Sequence, residues 1–72
     1  MIEIWGKDSC PLCDQAKRLC ESKELSYTYK QLAKDFTRDE VLAEFPGART
    51  FPQIKVDGVA IGGFTELKAH YE

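Results

Sequence analysis

Two cysteines three residues apart, set just ahead of a helical pattern, constrain this chain more than any other feature. Cys10-Pro11-Leu12-Cys13 follows directly on the break Gly6-Lys7-Asp8-Ser9. Proline is favoured at the first helical position, where its missing N–H has no intrahelical partner to lose. Pro11 therefore predicts a helix with Cys10 as its N-cap and Cys13 as the third helical residue. Leu12, Ala16, Leu19 and Cys20 then fall on one face, with Asp14, Lys17, Arg18 and Glu21 mostly away from it. That spacing predicts a helix from 11 to about 23.

The rest of the chain supplies a sheet for this helix to pack on. Residues 1–6 and 25–31 alternate and are rich in β-formers, which predicts two strands. A β-α-β unit of this kind implies parallel strands with a right-handed crossover. Thr37-Arg38-Asp39-Glu40 is a capping box, and Phe36 and Val41 stand where a hydrophobic staple requires them. A second helix is predicted over 38–45, ended by Pro46-Gly47. Residues 53–56 and 59–61 are short apolar strands joined by Asp57-Gly58, a strong hairpin signal. Gly62-Gly63 breaks the second of them, and Thr65 is expected to cap a last helix through Tyr71. Trp5 and the tyrosines read as core or half-core residues, and His70 as a surface residue. The fold class is α/β, in the order β-α-β-α-β-β-α. It comprises a mixed four-stranded sheet flanked by three helices, and 72 residues make one domain, 1–72.

Three cysteines are too few and too odd in number for a disulfide-stapled scaffold. A zinc site needs four ligands, and the available set is Cys10, Cys13, Cys20 and His70. Cys13 and Cys20 lie about 10.5 Å apart along one helix, so no structural metal is expected. Redox chemistry explains more. As N-cap, Cys10 holds its sulfur near the free N–H groups of Leu12 and Cys13, at the positive end of the helix dipole, with Lys7 one loop away. These surroundings favour thiolate over thiol at Cys10. A free thiol of pKa about 8.5 is only about 3% ionised at pH 7. Acidifying it raises the thiolate fraction but lowers nucleophilicity, with a Brønsted slope of about 0.45. Attack then nearly breaks even, and the net gain is a better leaving group at Cys10, which suits a disulfide shuttle. Cys20, on the apolar helix face, reads as a small core residue.

Composition excludes several other classes. Twelve acidic and ten basic residues give a net charge of −2, with no basic excess for a phosphate backbone, so nucleic acid is not an expected partner. No apolar run is long enough to span a membrane. The opening Met-Ile-Glu-Ile-Trp-Gly-Lys-Asp lacks the basic and apolar regions of an export signal, so a reducing compartment, the cytoplasm, is expected.

Cys10-Pro11-Leu12-Cys13 resembles the glutaredoxin active site, usually Cys-Pro-Tyr-Cys. Arg49-Thr50-Phe51-Pro52-Gln53-Ile54 resembles the family's Thr-Val-Pro segment. Asp57-Gly58, Gly62-Gly63 and Phe64-Thr65-Glu66-Leu67 look like its hairpin and its glutathione-site element. These segments stand in the family's order over nearly the whole chain. Small viral glutaredoxins are similar in size and share the Ile-Gly-Gly-Phe ending, which for a viral chain implies the host cytoplasm. The resemblance implies a thioredoxin-like fold with Pro52 in the cis form, facing Cys10. It implies catalysis by Cys10 as nucleophile and Cys13 as resolving thiol, with Lys7 stabilising the thiolate and no metal. It implies glutathione as reductant, lying in a groove bounded by Leu12, Thr50, Phe51 and Pro52. Its main chain would pair with Phe51, and its γ-glutamyl carboxylate would meet the N–H groups of Phe64 and Thr65, beside Gly63. Lys7 and Arg49 would attract the glycine-end carboxylate, and Glu66 the ammonium. A monomer is implied, with disulfide-containing proteins as clients, a ribonucleotide reductase among them. Leu12 for Tyr and Phe51 for Val depart from the family pattern. Three rival readings stand beside this one: a redoxin of the same shape reduced by thioredoxin reductase, an iron–sulfur carrier with glutathione as a ligand, and a non-catalytic adaptor.

Overall fold

The computed structural model describes residues 1–72. The elements are β1 (Ile2–Gly6), α1 (Pro11–Ser22), β2 (Tyr27–Gln31), α2 (Arg38–Glu44), β3 (Gln53–Val56), β4 (Val59–Gly62) and α3 (Phe64–Tyr71). The sheet runs β2-β1-β3-β4. β1 and β2 are parallel, with Gly6 opposite Gln31, and β3 is antiparallel to both β1 and β4. Order, element types and mixed sheet are those predicted.

Strand alternation separates two cores. Ile2, Ile4, Ile54 and Val56 meet Ala16 and Cys20 of α1 and Leu67 of α3 on one face. Trp5 points to the other, where Phe36, Val41 and Phe45 cluster around it under α2. The Trp5 and Phe45 rings meet edge-on, 5.4 Å between centroids. Phe36 and Val41 are both buried there, as the staple expectation required. The capping box of α2 is complete: Glu40 N–H donates to Thr37 Oγ1, and Thr37 N–H donates to Glu40 Oε1.

Three local expectations are corrected. Leu12 lies outside the core, 48% exposed, and Cys13 takes its place beside Ala16 and Cys20. At 100° per residue, the buried trio centres about 70° round the helix from Leu12. Leu25 and Ser26 precede β2, because Leu25 N–H is used by the Cys20 carbonyl in the turn that ends α1. The N-cap of α3 is Gly63, and Thr65 is its second helical residue. The cap works in reverse there, with Glu66 Oε1 accepting from Gly63 N–H at 2.7 Å. The Asp57-Gly58 turn is as expected, with φ of 51° and 82°, the positive pair a tight hairpin needs.

Candidate active site

The site is assembled where the ends of β1, α1, β3 and α3 meet. The chain leaves β1 through Lys7-Asp8-Ser9 and enters α1 at Cys10, whose extended backbone makes it the N-cap. Cys13 N–H donates to Cys10 Sγ at 3.1 Å, so an otherwise orphaned helix-end donor points at the sulfur. Cys10 and Cys13 are joined as a disulfide, 5.2 Å apart at Cα. Cys10 retains 8% exposure and Cys13 none. The outer sulfur is thus the reachable one, and the inner one lies against the core. Cys20 is a free thiol, fully buried. Burial first, and then the charge of Glu21, pushes its pKa up, which holds it as an unreactive thiol.

A cleft of about 180 Å³ lies beside this helix start, lined by Leu12, Thr50, Phe51, Pro52 and the α3 entry, Gly63 to Glu66. Sequence positions far apart are brought together here, and all eight were singled out from sequence. The Phe51–Pro52 peptide is cis. β4 delivers the α3 entry through a bulge: Ile54 pairs with Gly62 and Lys55 with Ala60, leaving Ile61 over. Gly63 then passes so close to the Pro52 carbonyl that a Cβ would lie 3.2 Å from its oxygen. Two predicted residues stand outside the cleft. Lys7 Nζ lies 6.0 Å from the centre of the Phe51 ring, on the cleft's border. Arg49 lines the two neighbouring hollows instead.

Sequence reasoning missed the struts that hold the cysteine loop. Asp8 Oδ1 accepts from Gln31 Nε2 at 2.8 Å, and Tyr29 O–H donates to the Lys7 carbonyl at 3.5 Å. Tyr29 lies over Gly6, where a side chain would collide with its phenol. The parallel register that sets Gly6 opposite Gln31 places these side chains at the loop. The strand alternation of Tyr27, Tyr29 and Gln31 was legible, but the register that aims it was not.

Comparison with known proteins agrees with this geometry. The glutaredoxin family profile matches residues 2–61. Glutaredoxin 3 of Escherichia coli (strain K12) is 35% identical over 68 residues, which cover 94% of this chain and 82% of that protein. The solution structure of reduced Escherichia coli glutaredoxin matches with a TM-score of 0.81 at 32% identity, over 96% of this chain and 89% of that one. The buckwheat glutaredoxin–glutathione complex shares the fold, with a TM-score of 0.82 at 23% identity over 97% and 66% of the two chains.

Proposed function

The chain belongs to the glutaredoxin family, and we propose that it is a glutathione-dependent thiol–disulfide oxidoreductase, acting on protein disulfides and glutathione mixed disulfides. The observation that carries this reading is the Cys10–Cys13 disulfide at the start of α1, with the Cys13 N–H directed at the Cys10 sulfur. In the reduced protein that donor and the helix dipole stabilise a Cys10 thiolate, and Lys7 adds a positive charge nearby. The thiolate attacks one sulfur of a client disulfide, forming a mixed disulfide and releasing the other sulfur as thiolate. Cys13 then attacks Cys10 Sγ, releasing the client's second thiol and leaving the Cys10–Cys13 disulfide. Two electrons pass to the client, and two glutathione molecules return them, leaving as glutathione disulfide.

Glutathione fits the cleft on chemical grounds. The first N–H groups of α3, at Phe64 and Thr65, have no intrahelical acceptor and suit a carboxylate. Phe51 lines the cleft just ahead of β3, and its main chain would pair with that of a peptide. Lys7 and Arg49 supply positive charge for the second carboxylate, while Glu66 offers an acceptor oxygen to an ammonium. The buckwheat glutaredoxin of this fold forms a glutathione complex. We place the protein in a reducing compartment such as the cytoplasm, as a monomer, with a ribonucleotide reductase among the clients to test.

The test is turnover of a small glutathione mixed disulfide with glutathione and glutathione reductase. Cys10→Ser is expected to be inactive. Cys13→Ser is expected to retain activity, because this reaction needs one thiol only. A parent protein that is inactive here but reduced by thioredoxin reductase would overturn the reading.

A further inference from the structure

Beside the glutathione cleft, on the side away from α3, lies a second hollow of about 330 Å³. Leu32, Val41, Leu42, Ala48 and Phe51 give it an apolar floor, and Arg38 and Arg49 stand in its wall. Thr50 and Phe51 line both hollows, so the two adjoin across these residues. The floor rests on the rigid aromatic cluster of Trp5, Phe36 and Phe45. Leu42 is 42% exposed here, although it belongs to a helix whose next residue inward, Val41, is buried. The charge at this place opposes that of the whole chain, which is net −2. No carboxylate lines the hollow, and both arginines are free. The ion pairs of the structure are made by the amino terminus, Lys17, Lys30, Lys55 and Lys68.

The geometry points to this hollow as the docking subsite for a protein client: an extended segment with an apolar side chain flanked by acidic ones, a few residues from the reacting cysteine. The apolar side chain covers Leu42 and Phe51, and the flanking carboxylates meet Arg38 and Arg49. Because the hollow adjoins the cleft through Thr50 and Phe51, a client chain that runs out of the cleft enters it directly. Small glutathione mixed disulfides have no such segment, so the hollow separates protein clients from one another without altering the chemistry at Cys10. The inference rests on the proposed disulfide exchange at Cys10 and Cys13, and not on glutathione as the reductant.

The experiment is single-turnover reduction of synthetic peptide disulfides by the pre-reduced protein, with no glutathione present. One peptide carries Glu-Leu-Glu beside its disulfide, a second Lys-Leu-Lys and a third Gln-Leu-Gln. Two partly exposed charge contacts predict that the acidic peptide reacts about five- to tenfold faster than the basic one at low salt. That gap should close to about twofold at 1 M salt. Arg38→Glu is expected to abolish or reverse the preference, and Leu42→Asn to slow the acidic and neutral peptides alike. Both sites are exposed, and thermal melts confirm that each variant folds. Equal rates for the three peptides in the parent would overturn the inference. So would a KM for the glutathione mixed disulfide that rises in Arg38→Glu as much as the acidic peptide's rate falls, since the hollow would then belong to glutathione. A dimer in sedimentation that Arg38→Glu dissociates would assign the hollow to a second copy and overturn it as well. Failure of the parent to use glutathione, with the peptide preference intact, would sink the proposed reductant and leave this inference standing.

Discussion

Replacing Gly62 by alanine tests how the α3 entry is held against the active site. Gly62 has φ of +119°, in a region that residues with a Cβ rarely adopt. Such a backbone costs on the order of 1–3 kcal/mol. A Cβ there would also lie 2.7 Å from Glu66 Cγ and Oε1. That carboxylate is the far end of a flexible side chain and can swing away. Doing so breaks its bond to Gly63 N–H, a loss of about 0.5–1.5 kcal/mol. The two effects sum to roughly 2–4 kcal/mol. A 72-residue chain has roughly 4–11 kcal/mol in all, so the variant should fold but melt early. At about 4–8 °C per kcal/mol for a domain of this size, Tm should fall by roughly 8–32 °C. Thermal melts by circular dichroism on Gly62→Ala, Glu66→Ala and the double variant separate the two causes. Glu66→Ala alone loses the one exposed bond. The double variant should be less destabilised than the sum, because both single variants forfeit that same bond. A Tm for Gly62→Ala within about 3 °C of the parent would refute the backbone argument. Strict additivity in the double variant would refute the collision with Glu66, and full rescue by Glu66→Ala would show that the backbone costs nothing.

Two further predictions concern groups on α1 and β2. Cys20 is sealed in the core and beyond reach of Cys10, so a disulfide reagent on the reduced native protein should release two equivalents, the first by attack of Cys10 and the second as Cys13 resolves the mixed disulfide, and three in denaturant. Cys20→Ala should keep full redox activity, whereas three rapidly reacting native thiols would contradict the burial. Tyr27 O–H donates to Glu21 at 2.7 Å, and this bond is the main cause that pushes its pKa up to about 12. Because the protonated phenol is favoured in the folded state, its contribution to stability is complete below about pH 10. That contribution is lost as pH rises toward 12. Ultraviolet titration should show a late-ionising phenol that Tyr27→Phe removes. A late step that is unchanged in Tyr27→Phe would count against the bond.

Element order was legible in the sequence because it rests on local rules, whereas the cleft's membership came from the family resemblance. Proline at the first helical position, the Thr37–Glu40 box and Asp57-Gly58 act within four residues, and all three hold in the structure. What failed was orientation. Leu12 and Cys13 are neighbours, and which of them faces the sheet depends on how α1 is rolled against β1 and β3. Thr65 has the right chemistry for a cap, but the bulge at Ile61 turns β4 so that the helix begins two residues earlier, at a glycine whose cap is supplied by Glu66. Arg49 stands beside the cleft and outside it for the same reason. The path from Pro46 to Thr50 is irregular, and no periodicity says where its side chains point.

The three cysteines show how one helix gives a single residue type three fates. Cys10 precedes the first turn, where N–H groups lack partners, and its sulfur accepts one of them. Cys13 is one turn in, on the face that meets the sheet, so it is near enough to pair with Cys10 but closed to solvent. Cys20 is two turns further along the same face, beyond reach of either, among Ile4, Ala16 and Leu67. A client disulfide can therefore be attacked only by Cys10, and an intermediate formed there has only Cys13 to resolve it. This order of events follows from position along α1 alone. A thiol moved from position 13 to position 12 would be exposed and rolled away from Cys10's inner side. It should leave the intermediate unresolved, and mixed disulfide should accumulate in the Leu12→Cys/Cys13→Leu variant.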